Sequence, residues 1–133
     1  MTTPQAQVWN PTPFSIERVQ GESPSTVIFR LCGPFTARDM YGKLTPDALQ
    51  NMLAFQSTPE EQMPALNILD LTEVPYMDSV GLGMVVTHYV RCSNKGIKTI
   101  VAGATPRILE LFRMTKVDGI LPMAPTVDEA ENN

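Results

Sequence analysis

Residues 66–83 constrain this chain more than any other stretch. Leu66 to Thr72 is a near-continuous apolar run, the pattern of a strand covered on both faces. A short acidic loop follows, and Asp78-Ser79-Val80-Gly81 then opens a helix from about Val80. A strand, tight loop and helix in this order leave the small hydroxyl of Ser79 at the mouth of a helix. Backbone N–H groups there lack intrahelical partners and the helix dipole is positive, so an anion at Ser79 is tolerated. A hydroxyl that can be made doubly negative, beside a carboxylate, reads as a switch rather than a catalytic centre. A simpler account competes, because Ser and Asp are among the commonest helix N-caps. Gly81 argues for something more. Glycine inside a helix costs roughly 0.5–1 kcal/mol, which points to close approach by another backbone or partner, or to tight packing.

The rest of the chain supplies the frame. Phe14–Gln20 and Thr26–Cys32 carry β-branched and aromatic residues around a turn-like Gly21–Ser25, which predicts a hairpin. Gly33–Thr36 reads as a loop. Thr45-Pro46 marks a helix start, with Leu49, Met52 and Leu53 on its apolar face. In the helix after Asp78, the stripe Leu82, Val85, Val86 and Tyr89 is expected to be buried, with Gly96 as the stop. A strand is expected at 97–103. Thr105-Pro106 caps a further helix whose Ile108, Leu111 and Phe112 face the core, and a last strand is expected at 120–123. Residues 1–13 are expected as a flexible arm whose Trp9 can dock on the body. The folded domain is placed at 14–125, and 126–133 is an acidic tail, frayed or briefly helical. The alternation of strand and helix implies parallel crossovers. The expected fold is therefore a single α/β domain: a mixed, mostly parallel β-sheet with an N-terminal hairpin and packed α-helices.

Several function classes are set aside on composition. The 133-residue chain has a formal net charge of −4, which disfavours binding to nucleic acid or to an anionic membrane. No apolar run is long enough to span a bilayer, and the N-terminus has no basic and apolar leader pattern, so a cytoplasmic setting is expected. His88 is the only histidine. Nine residues along one helix would hold it roughly 13 Å from Ser79, far beyond the reach of a base. It is expected as a helix-surface or packing residue. Cys32 and Cys92 read as core or near-core residues, and a disulfide between them is left open. Asp70, Glu73 and Asp78 could gather at the strand end, but acidic loops are usually only solvated. Neither metal nor cofactor is expected, and no Gly-rich phosphate loop is present. Met40, Met77, Met84 and Met123 could form an adaptable contact surface, although Met more often fills a core.

Asp70–Val74 together with Met77-Asp78-Ser79-Val80-Gly81-Leu82-Gly83 resembles the signature of STAS domains of the anti-sigma-factor antagonist family. Gly96-Ile97-Lys98 and Thr105–Thr115 follow the same family rhythm, and the resemblance covers about residues 14–125. The resemblance implies a non-enzymatic regulatory module. A partner kinase, itself the anti-sigma factor, would phosphorylate Ser79 and so block binding, and a phosphatase would restore it. It implies that Asp78 orients the loop and contacts the partner, and that Thr36, Met77, Asp78, Ser79, Val80 and Gly81 form the partner-binding surface. The family's first loop usually reads Gly-Glu-apolar-Asp, whereas here it is Gly33-Pro34-Phe35-Thr36. Val80 replaces a second serine, which leaves Ser79 the only hydroxyl within the motif. Two alternatives stand beside this reading. One is a non-phosphorylated scaffold or accessory subunit of a signalling complex or transporter. The other is a small-ligand or nucleotide sensor using the mouth near Ser79 and Thr36.

Overall fold

The computed structural model describes residues 14–40, 53–55 and 63–132. The expected N-terminal arm, and most of the helix expected from Pro46, lie outside the described residues. Five strands form one sheet in the order β1-β2-β3-β4-β5. They are β1 (Ser15–Gln20), β2 (Thr26–Cys32), β3 (Leu66–Glu73), β4 (Lys98–Ala102) and β5 (Met123–Ala124). β1 and β2 pair antiparallel as the expected hairpin, and β2 to β5 run parallel. Among the described residues the helices are α1 (Ala37–Met40), α2 (Ser79–Asn94), α3 (Pro106–Thr115) and α4 (Val127–Glu131).

Alternation along the strands divides the core into two faces. Val27, Phe29 and Leu31 of β2, Leu69 and Leu71 of β3, and Val101 of β4 meet Leu82 and Val85 of α2 and Ile108 and Phe112 of α3. The opposite residues, Ile28, Ile68, Ile100 and Ala102, form a smaller cluster with Ala130 of α4. β3 is therefore covered on both sides, as its uninterrupted apolar run requires.

Two expectations are corrected in detail, those for the last strand and for the buried face of α2. The last strand is Met123–Ala124 rather than 120–123: Val117–Gly119 form a 3₁₀ turn, Ile120 is exposed, and only Leu121 of that stretch enters the core. The acidic C-terminal segment is briefly helical, one of its two expected forms, as α4, which is docked through a fully buried Ala130. Thr126 caps it by accepting from the Glu129 N–H, and the Glu131 carboxylate accepts from the Glu22 N–H in the hairpin turn at 2.8 Å. In α2 the buried residues are Gly81, Leu82, Met84, Val85, His88 and Cys92, whereas Val86 and Tyr89 lie at the edge of the core. Gly96 ends this helix with φ of 77°, as expected. Both cysteines are free thiols, Cys92 buried and Cys32 half-buried.

His88 is a core residue. It is 2% exposed and packs edge-on against Phe29, with ring centroids 5.8 Å apart. Asn67 of β3 donates from Nδ2 to the Val27 carbonyl at 2.9 Å, which leaves its Oδ1 to accept from His88 Nε2–H at 2.6 Å. The Cys92 thiol lies 3.5 Å from the same nitrogen. Burial, reinforced by Arg91 and Lys95, pushes the His88 pKa down to about 4. A group whose folded pKa is depressed contributes stability that is present above its unfolded pKa and lost as pH falls. Unfolding free energy should therefore drop between pH 6.5 and about 4, by roughly 3 kcal/mol from this residue. Denaturant titrations across that range should show a shallower pH dependence for His88→Gln than for wild type. Parallel curves would rule the assignment out.

Candidate functional site: the Asp78–Ser79 helix mouth

The site is built by extending the β2–β3 pairing past the ends of the strands. The pairing first slips: Arg30 faces Asp70 but Cys32 faces Glu73, so β3 carries one extra residue. Asp70 accommodates that slip. Its Oδ1 accepts from the Thr72 N–H at 3.0 Å and the Thr72 hydroxyl at 2.6 Å, and its Oδ2 lies 3.6 Å from Arg30 Nε. Beyond the strands the two chains stay joined. Gly33 N–H donates to the Glu73 carbonyl and Phe35 N–H to the Tyr76 carbonyl, each at 3.0 Å. Asp78 N–H donates to the Phe35 carbonyl at 3.3 Å, and Phe35 and Met77 form a parallel bridge. Phe35 is anchored in turn by stacking on Phe14, with centroids 4.7 Å apart.

Asp78 joins two helix starts. Its Oδ1 accepts from the N–H groups of Val80 and Gly81, both at 3.0 Å, and so caps α2. Its Oδ2 accepts from Ala37 N–H at 3.0 Å, at the start of α1. The N-cap is thus Asp78, and Ser79 is the first helical residue. Ser79 is exposed, and its side chain makes no hydrogen bond to the described residues. The capping account explains Asp78 and leaves the Ser79 hydroxyl unexplained.

Gly81 has a reason that lies inside the molecule. A Cβ built there would sit 2.2 Å from the Phe35 carbonyl oxygen. The close approach foreseen from the glycine is made by the chain's own 33–36 loop. Gly83, by contrast, has nothing within 4 Å of a built Cβ.

The residues expected to meet a partner divide by depth. Ser79 is exposed, and Asp78 and Val80 are half-buried. Met77, Thr36 and Gly81 are buried, so they support the surface instead of forming it. Thr36 caps α1: its Oγ accepts from Asp39 N–H at 3.0 Å and its hydroxyl donates to the Asp39 carboxylate. The sequence reading missed this small helix, although Thr36-x-x-Asp39 carries the spacing of a capping box. It also missed Asn67, a lone amide in an apolar strand, as the partner that draws His88 inward.

Other chemistry does not assemble here. His88 points into the core and is engaged by Asn67, so it cannot serve Ser79 as a base. Asp70 and Asp78 spend their carboxylates on internal donors, and among the described residues no group of three or more His, Cys, Asp or Glu could hold a metal ion. An open groove of about 890 Å³ lies between Gly33-Pro34 and Pro75-Tyr76, with Thr72, Glu73 and Thr105 on its walls. Neither Ser79 nor Thr36 lines it. The Arg107 guanidinium covers the Tyr76 ring nearby, 4.9 Å from its centroid.

With this geometry in view, the comparisons are direct. The chain belongs to the STAS domain family, whose profile matches residues 18–130. The anti-sigma-B factor antagonist of Listeria monocytogenes is 32% identical over 65 residues, which are 49% of this chain and 57% of that protein. The chain thus spans little more than half the length of that relative. An anti-sigma factor antagonist from Mycobacterium paratuberculosis superposes with a TM-score of 0.67 at 20% identity, over 89% of this chain and 92% of that one. The STAS domain of a SulP transporter from Vibrio cholerae gives a TM-score of 0.63 at 19% identity, over 83% and 80% of the two chains. The fold therefore occurs both in anti-sigma factor antagonists and in the STAS domain of a transporter.

Two pairs of substitutions separate packing from chemistry. Gly81→Ala should cost about 2 kcal/mol through its clash with Phe35, whereas Gly83→Ala should be neutral or stabilising by up to about 1 kcal/mol. Likewise Asp78→Ala should cost about 1–2 kcal/mol as a lost cap, and Ser79→Ala should stay within about 0.5 kcal/mol of wild type. Urea unfolding of the four variants checks both contrasts. A large loss for Ser79→Ala would mean that the hydroxyl is structural after all.

Proposed function

We propose that this protein is a non-enzymatic, cytoplasmic anti-sigma-factor antagonist, switched by phosphorylation of Ser79. The observation that carries the reading is the division of labour at the helix mouth: Asp78 does the capping, and Ser79 presents an exposed hydroxyl with no structural task. The family signature around Asp78-Ser79 and the likeness to the Listeria antagonist support it. In this reading the partner is an anti-sigma factor that is also a serine kinase. The Ser79 oxygen attacks the γ-phosphorus of ATP bound by the kinase. ADP leaves, and the hydroxyl proton passes to a base on the kinase. The product carries about −1.5 to −2 additional charge beside Asp78. A partner surface fitted to a neutral hydroxyl then meets repulsion and an unpaired, desolvated anion. A coupling of about 3 kcal/mol between phosphate and partner changes affinity more than a hundredfold. A phosphatase resets the switch by hydrolysis.

The test is capture of partners from the source cell with wild type, Ser79→Ala and Ser79→Asp as baits. Wild type and Ser79→Ala should both retain an ATP-binding kinase, and Ser79→Asp should lose it. Equal capture by all three would reduce Ser79 to an ordinary surface serine and favour a scaffold or transporter-linked role. Mass spectrometry of the native protein across growth states should show a phosphorylated Ser79 in at least one of them.

A further inference from the structure

We propose that Asp78 is a relay that carries the modification state of Ser79 to α1, so that the phosphoryl group is read at residues 36–40 as well as at its own position. The inference rests on the reading of Ser79 as a phosphate acceptor. Its basis is the double engagement of one carboxylate. Oδ1 holds the Val80 and Gly81 N–H groups, and Oδ2 holds Ala37 N–H across a sequence gap of 41 residues. The N–H groups that a phosphoryl at the first helical position would seek are therefore already taken by the neighbouring residue.

A dianion on Ser79 acts on that arrangement in two ways. It competes for Val80 and Gly81 N–H, and it repels the adjacent Asp78 carboxylate. A rotation of Asp78 that yields either donor also moves Oδ2, because both oxygens belong to one rigid planar group. Ala37 then loses its acceptor. Among the described residues α1 has little else to hold its start. It is one turn long, and its capping bonds are those of Thr36 with Asp39 N–H and Met40 N–H, the latter at 3.1 Å. Ala37 and Arg38 are exposed, so a change there is presented at the surface. Met40, at the other end, is buried and anchors α1 to the core, which confines the change to its first turn.

The loop backbone limits the movement in the other direction. The bonds from Phe35 N–H to the Tyr76 carbonyl and from Asp78 N–H to the Phe35 carbonyl do not involve the carboxylate, and Phe35 stays wedged against Gly81. The relay therefore acts on the Ala37 end of the segment and leaves the sheet extension in place.

The experiment uses the full chain with phosphoserine installed at position 79 during synthesis, compared with the unmodified protein by amide NMR and hydrogen exchange. Phosphoserine should shift the Ala37 and Asp39 amides and speed exchange at Ala37 about tenfold, the effect of one lost hydrogen bond. Asp78→Asn separates the two prongs: its remaining side-chain oxygen can still cap α2, but its amide cannot accept from Ala37. This variant should reproduce the Ala37 change without phosphate, and phosphoserine in it should add nothing further at α1. Ala37→Pro cuts the same bond from the donor side at a helix position that accepts proline, with Asp39 and Met40 amides as the readout, and should likewise be insensitive to phosphoserine. The relay is overturned if phosphoserine moves Val80 and Gly81 but leaves Ala37 unchanged. It is also overturned if α1 still responds in either variant. Because the phosphate is installed chemically, these outcomes are independent of partner capture, which judges the functional reading separately.

Discussion

One carboxylate organises the functional end of this molecule. Asp78 neutralises the orphan N–H groups of α2 and, with its second oxygen, holds the start of α1. Around it the β2–β3 pairing runs on for several residues after the strands end, through Gly33, Phe35, Tyr76 and Asp78. The Phe35 carbonyl comes so near α2 that only glycine fits at position 81. The 33–36 loop, the 74–78 loop and the first turn of α2 therefore behave as one packed unit. Ser79 rides on its surface without contributing to it.

That arrangement gives a physical reason why a serine at this place keeps its hydroxyl free. A residue serving as the cap could not be esterified without losing the cap. A residue one position later keeps its hydroxyl free while the backbone beneath it stays rigid. In the proposed switch the half-buried Asp78 stands beside the acceptor, and a phosphoryl group there would change both charge and donor sharing. The buried Asn67–His88 pair plays the complementary role deeper in the domain. It fixes α2 to β3 by a side-chain hydrogen bond in a region otherwise made of apolar contacts. An amide and an imidazole satisfied in this way specify one register of helix on strand.

The 33–36 loop carries its own helix start. Thr36 of this loop is the cap of α1. The acidic group near the helix start is then Asp39, bonded to the Thr36 hydroxyl. The neighbouring groove, with Glu73 and Tyr76 on its walls, does not include Ser79 in its lining.

Much of the architecture was legible in the residues themselves. The apolar run at 66–72, the Thr105-Pro106 start of α3 and the Gly96 stop are local signals: strand burial, capping and positive φ depend on a few adjacent residues. The hairpin and the parallel crossovers from residue 66 onward followed from short periodicities and connection rules. What escaped was whatever depended on residues far apart in the chain. His88 read as a surface or packing residue because nothing near it announces Asn67, and only the crossing of α2 over β3 buries it. Asp78 and Ser79 were equivalent as candidate caps until the backbone showed Asp78 outside the helix and Ser79 within it. Met77 and Thr36 read as surface because they flank the motif, yet the extension of the sheet past its strands covers them. The sequence alone determined which segments form strands and helices and where a free hydroxyl could stand, because those are matters of local conformation and periodicity. Tertiary structure alone decided which polar groups are spent on the fold and which remain available, because each hydrogen-bond partner is supplied by a segment tens of residues away.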